Sequence, residues 1–146
     1  MTVKRIRLAA VVMCSLIWTG CGSRVQTSHQ NDGVVGDDSA IARAFNSGES
    51  GVQVEGEGVV VRVLEDDLSG SRHQRFILQL ASRHTVLIAH NVDLAPRVAG
   101  IQEGDRVSFY GVYEWNEKGG MVHWTHHDPG GKHIAGWLKY NGHTYQ

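Results

Sequence analysis

GVQVEGEGVVVRV, residues 51–63, is the stretch on which the reading of the fold turns. Valines alternate at both ends of it, and a period of two puts alternate side chains on opposite faces of a strand. Val52 and Val54 fall on even positions, whereas Val59, Val61 and Val63 fall on odd ones. The core-facing parity is therefore expected to switch between Gly56 and Gly58, and a bulge or coil there would bend one long first strand.

Strand signals continue downstream. Glu65 to Ser71 is an acidic turn containing Gly70. The second strand follows, with Phe76, Leu78 and Leu80 inward and His73, Arg75 and Gln79 outward. Thr85 to Ala89 is apolar on both faces, as in a strand covered on two sides, and ends at His90 and Asn91. Between Val92 and Gly104 the alternation stops, and Pro96, Gly100 and Gly104 frame what reads as a short helical turn or loop. Val107, Phe109 and Tyr113 mark a fourth strand, Asn116 to Gly120 a hairpin turn, and Val122 and Trp124 the inward face of a fifth. Gly136 to Gln146 reads as a closing hairpin or strap.

Upstream, Asp37, Asp38 and Ser39 precede Ile41, Ala42, Ala44 and Phe45, an N-cap signature followed by a short apolar helical face. Three strands, a connector and two more strands make the order of an oligonucleotide/oligosaccharide-binding (OB) barrel, which a bent first strand helps to close. The expected class is all-β: a small five-stranded OB-like barrel, with a short helix before the first strand, a short helical connector between strands 3 and 4, and a C-terminal hairpin or strap.

The N-terminus has a different character. Lys4, Arg5 and Arg7 precede an apolar run from Leu8 to Trp18, then Thr19, Gly20 and Cys21. This is the anatomy of an export signal, with a run too short for a ~30 Å hydrocarbon core, which needs roughly 20 residues. Thr19-Gly20-Cys21 resembles the end of a bacterial lipobox, although Trp18 departs from the usual leucine, so Cys21 is the expected lipidation site. Gly22 after it points to the outer membrane, with the domain facing the periplasm. Residues 1–20 are thus read as a lipoprotein signal peptide, 21–38 as a flexible polar tether and 39–146 as a single β-barrel domain.

With 146 residues, 41% of them apolar and 20% charged, the chain is neither collagenous, wholly disordered nor a polytopic membrane protein. Loss of the signal would leave 11 Lys and Arg against 15 Asp and Glu, a net of −4, which disfavours nucleic acid as a partner. Cys14 would leave with the signal. A mature chain whose one cysteine is acylated has no internal disulfide and no thiol for redox catalysis.

Two polar constellations stand out. His123-Trp124-Thr125-His126-His127-Asp128-Pro129, with His133 beyond, gathers imidazoles and a carboxylate that could hold a divalent metal such as Zn or Cu. On a strand His123 and His127 would lie roughly 13 Å apart, so the chain must turn for His126, His127, Asp128 and His133 to meet His123. The bland alternative is a set of structural histidines. The second constellation joins Arg72, His73 and Arg75, opening the second strand, to His90, Asn91, Asp93 and Arg97 beyond the third. In an antiparallel pair those ends are adjacent and could bind a phosphate, carboxylate or sugar, or merely form ion pairs on the surface. Asp66, Asp67 and Ser69 read as a solvated turn. Trp115, Trp137, Tyr110 and Tyr140 read as core rather than stacking platforms.

The strings RHQRFIL from Arg72, IAHNVDLAPR from Ile88, HWTHHDP from His123 and the pair Gly136-Trp137 resemble a family of uncharacterised exported bacterial proteins, a domain of unknown function. The resemblance covers nearly everything from Gly51 to Gln146 and implies a shared domain, not an activity. Nuclease barrels of related architecture carry an Asp-Gly-Asp-Thr type motif that this chain lacks. The expected function is an envelope-anchored periplasmic binding module, attached to the membrane through its N-terminal lipid and holding an anionic small molecule, a glycan or a metal on a His- and Arg-rich surface. The alternative is a metal-dependent hydrolase of phosphoester or cell-wall substrates, with His123, His127 and His133 as ligands and Asp128 or Glu114 as base.

Overall fold

The computed structural model describes residues 38–146. The expected signal peptide, Cys21 and all of the tether except Asp38 lie outside the described residues. Among the described residues no helix is long and apolar enough to cross a membrane.

Helix α1 (Ser39–Ser47) stands before the sheet and buries Ile41 and Ala44. Asp38 does not cap it. Its backbone is itself helical (φ −61°, ψ −6°), and its Oδ2 accepts the Ser82 backbone N–H at 3.0 Å, tying the helix start to a distant turn. At the other end Gly48 (φ 69°) lets its own N–H and that of Glu49 reach the carbonyls of Phe45 and Ala44.

Seven strands follow: β1 (Val52–Asp67), β2 (His73–Leu80), β3 (Thr85–Asn91), β4 (Arg106–Glu114), β5 (Met121–His123), β6 (Trp137–Tyr140) and β7 (His143–Tyr145). They form one sheet in the order β1-β2-β3-β5-β4-β6-β7, with β1 also paired to β4. Pairing is antiparallel except between β3 and β5. The first five strands thus form a complete circuit of pairings. β1 is long enough to serve two partners, pairing through Val52–Val59 with β4 and through Gly58–Asp67 with β2.

The parity switch expected between Gly56 and Gly58 is not there. The even face stays inward from Val54 through Gly56 and Gly58 to Val60, all buried, while Val61 and Val63 are each 40% exposed. Bulges fall later, between Val60 and Arg62 and between Leu64 and Asp67. Glycine holds the inward position because a Cβ on Gly56 would stand 2.6 Å from the Phe109 ring.

On β2 and β4 the expected inward residues Phe76, Leu78, Leu80, Val107, Phe109 and Tyr113 are all buried. Two other expectations fail. Trp124 is not on a strand, because β5 ends at His123 and Trp124 takes a left-handed backbone (φ 52°). The connector between β3 and β4 is built from turns without a helix, starting from one closed by Ala95 N–H to Asn91 O at 3.2 Å. Pro96 ends it, since a proline lacks the N–H that helix continuation needs. Instead the connector is pinned by the buried Gln74, whose amide donates to Val98 O and accepts from Val98 N–H, both at 2.9 Å. The C-terminal hairpin is formed by β6 and β7 through Asn141 (φ 48°) and Gly142 (φ 75°), a pair of positive φ values that suits a two-residue hairpin.

The turn into β5 is an unforgiving point of the backbone. Gly120 has φ 90°, and a Cβ there would lie 2.2 Å from the Tyr113 ring, whereas Gly100 (φ 72°) faces open space. Urea denaturation should find Gly120→Ala less stable by about 3 kcal/mol, from a strained φ plus overpacking, and Gly100→Ala by about 1 kcal/mol, from φ alone. Equal losses at the two positions would refute this account of the turn.

Candidate functional site

The segment after β5 folds on itself. Because the strand stops at His123, the following residues leave the sheet. The His126 ring is buried with Nδ1 2.6 Å from the His127 carbonyl oxygen, and His133 stacks on Trp124 at 3.8 Å between ring centroids. Trp124 also lies against His126 and His123, at 5.4 and 6.1 Å. The Asp128 carboxylate accepts three backbone N–H groups, from Gly130, Lys132 and His133, at 2.6 to 2.8 Å. Those bonds, led by the one from Gly130, hold its pKa below the usual carboxylate range. The expected ligands His123, His126, His127, Asp128 and His133 are therefore not brought together, and among the described residues no group of three or more His, Cys, Asp or Glu is arranged to hold a metal ion.

The second constellation divides in two. Arg72 grips Asp93 through Nε, Nη2 and its backbone N–H, each at 2.7 Å, and the Asn91 side chain accepts the Asp93 N–H. Arg97 forms a bidentate pair with Asp66 at 2.6 and 2.8 Å. Both pairs lower the carboxyl pKa, Asp93 chiefly through the Arg72 backbone N–H and Asp66 chiefly through the Arg97 side chain. These residues neutralise one another near the end of the β1–β2 hairpin.

His90 belongs to the interior. It is 0% exposed, with Nδ1 2.9 Å from the Thr125 hydroxyl and Nε2 3.1 Å from the Pro96 carbonyl oxygen. Nε2–H must donate to that carbonyl, leaving Nδ1 to accept from Thr125, so the ring is held neutral. Burial pushes its pKa down to about 4.

What remains of the two clusters meets on the outer face of the sheet. Antiparallel β2–β3 pairing sets Arg75 opposite Ala89, and the parallel β3–β5 pair brings His123 to the same face. There a cavity of about 230 Å³ is lined by Asp67, His73, Arg75, Leu87, Ala89, Met121 and His123. The His73 ring is oriented by Nδ1 to the Ser71 carbonyl oxygen at 2.8 Å, and Arg75 by Nε to that of Glu65 at 3.0 Å. His123 Nε2 is buried without a hydrogen-bond partner, the nearest Glu114 oxygen being 3.5 Å away. Burial lowers the His123 pKa against the opposing pull of Glu114, and the Ser69 backbone N–H lowers that of Asp67. A single constellation in space thus draws His73 and Arg75 from one sequence cluster and His123 from the other. The reading of the sequence missed Leu87, Met121 and Asp67, although the odd-numbered outward positions of the second and third strands were the signal for Leu87.

Over residues 24–146 the chain matches the family described as protein of unknown function (DUF3465), and it belongs to that family. No curated protein matches it.

Because His90 titrates near 4 when folded and near its ordinary 6.5 when unfolded, the unfolded chain binds the proton first as the pH falls. The contribution is complete above about 6.5 and is lost on the way down to about 4, amounting to about 3 kcal/mol. Urea midpoints measured from pH 7.5 to 4.5 should fall accordingly, and His90→Gln, less stable at pH 7.5, should flatten that fall. A wild-type stability independent of pH in this window would refute a buried neutral imidazole.

Proposed function

We propose that the domain is a non-catalytic binding module of OB-like barrel architecture, carried to the cell envelope by a lipoprotein signal, anchored through lipidated Cys21 and facing the periplasm. The barrel is supported by the circuit of pairings among β1 to β5, its parallel β3–β5 pair and the glycines on the inner face of β1. The binding surface is the outer face of β2, β3 and β5, where His73, Arg75 and His123 line one cavity.

The observation that carries this reading is the contrast between Arg75 and its neighbours. Arg72, Arg97 and Arg106 are paired with Asp93, Asp66 and Glu57, whereas among the described residues Arg75 has no carboxylate within salt-bridge distance. A guanidinium with two free terminal amino groups beside two imidazoles is a ready partner for an anion. Nothing in the cavity supplies an activated nucleophile, and Asp128, one of the two bases considered for hydrolysis, is occupied by three N–H donors.

Acetate titrated into the purified protein should move the His73 and His123 ring resonances along a saturable curve and leave His143 in place. Arg75→Gln should weaken that binding about tenfold, the loss of one charged hydrogen-bonding pair. No saturable shift, or an unchanged curve in the variant, would overturn the reading. The anchor is tested apart from it: Cys21→Ser should abolish lipid attachment and release the domain from the membrane fraction, and a variant that stays membrane-bound would refute it.

A further inference from the structure

A second cavity of about 230 Å³ adjoins the one just described, and both are walled by Leu87. Ile77 sits opposite Leu87 in the β2–β3 register, and Arg75 opposite Ala89. An aliphatic strip therefore runs over the outer sheet from the His73 and Arg75 end toward Leu64, Thr85 and the β4–β5 turn at Asn116 and Lys118. Half-buried Leu87 forms its middle. Together the two cavities have the size of a small-molecule site, for which a few hundred Å³ is typical.

The chemistry of the lining selects the occupant. No Phe, Tyr or Trp lines either cavity, so there is no platform on which a sugar ring or a base could stack. The floor is aliphatic, which suits a hydrocarbon chain. The polar end has one unpaired guanidinium, and Asp67 shares its cavity while Glu114 lies beside His123. Two nearby carboxylates penalise a dianion more than a monoanion. A carboxylate matches the guanidinium fork with a single negative charge.

We infer that the ligand is an amphiphilic monocarboxylate, its carboxylate on Arg75 between His73 and His123 and its aliphatic chain lying over Ala89, Leu87 and Ile77. The inference rests on the outer-face reading above and adds to it the class of molecule bound. Hydrocarbon burial along Leu87 should make affinity rise with chain length, by about fourfold for each buried methylene.

The test compares octanoate with acetate, octanol and octyl phosphate on the purified protein, followed by isothermal titration and by the methyl resonances of Ile77 and Leu87. Octanoate should bind at least tenfold more tightly than acetate, a gap of about 1.4 kcal/mol, and should move both methyl groups. Octanol should be weaker than octanoate. Arg75→Gln should weaken octanoate while sparing octanol, and Leu87→Asn should weaken octanoate at least tenfold more than it weakens acetate. Both side chains lie on the outer face, so neither change opens the core. Octanoate binding no tighter than acetate would sink the amphiphile and leave the anion site standing. Octyl phosphate binding more tightly than octanoate would overturn the choice of head group. If none of the four bound, the outer-face reading would fall with the inference.

Discussion

Gly58 is hydrogen-bonded into two strand pairs at once, opposite Leu80 on β2 and Val107 on β4. At such a crossing three backbones converge on the inner face. A Cβ there would sit 2.8 Å from the Gln79 carbonyl oxygen and 3.0 Å from the Leu78 side chain. The sheet can turn across β1 only because the inward residue at the turning point has no side chain. Gly56, two positions earlier on the same face, leaves its place to the Phe109 ring. Everything functional follows from this bend. With β2 and β4 both held on β1, β3 and β5 come side by side in parallel. Their outer face then carries residues that lie more than thirty positions apart in the chain, such as Ala89 and His123.

The turns between β3 and β4 impose a second constraint. A segment without helical or strand pairing still needs partners for its backbone groups. Gln74 supplies a donor and an acceptor to Val98, and His90 takes the Pro96 carbonyl while receiving the Thr125 hydroxyl. Both side chains are buried and both have their hydrogen bonds satisfied, the condition under which buried polar groups fix one arrangement rather than weaken it. The unusual strings around residues 74, 90 and 125 thus owe their polarity to the interior. That is why the His90 imidazole belongs to the interior and not to the outer face of the sheet.

These two constraints divide what could be read from sequence from what could not. Phe76, Leu78, Leu80, Val107, Phe109, Tyr113 and Val122 were legible as core because a period of two marks one face. The helix before the sheet was legible from its apolar face, although the Asp38 side chain read as its cap bonds elsewhere, and the terminal segment was legible as a hairpin or strap. In β1 the same rule misled, since glycines hold its inward positions and the more hydrophobic parity belongs to Val61 and Val63, which are partly exposed. Trp124 was misplaced because nothing local announces the end of a three-residue strand held by two neighbours. Of the second constellation, His90 lies in the interior and the ion pairing of the rest was not legible. Arg72 and Asp93 are 21 positions apart, and Arg97 and Asp66 are 31. Only the pairing in space decides that these neutralise each other and that Arg75, on the outward parity of β2, does not join them.

Net charge alone is a poor guide to such a surface. At physiological salt an exposed charge is screened beyond about 8 Å, so a ligand senses the few groups beside it rather than the excess of carboxylates on the chain. Asp93 and Asp66 are silenced by Arg72 and Arg97, and Asp128 is turned inward on its own loop. What the cavity itself presents is the Arg75 guanidinium, two imidazoles, and Asp67 with a backbone N–H already on its carboxylate. Beside them lies an aliphatic strip that a solvated sheet would ordinarily break with polar side chains on its outward positions. Ile77, Leu87 and Ala89 are outward, consecutive along two adjacent strands, and not broken in this way. An acyclic chain with one polar end satisfies both features together, whereas a purely polar ligand would leave the strip unexplained and a purely apolar one would leave Arg75 desolvated without a partner.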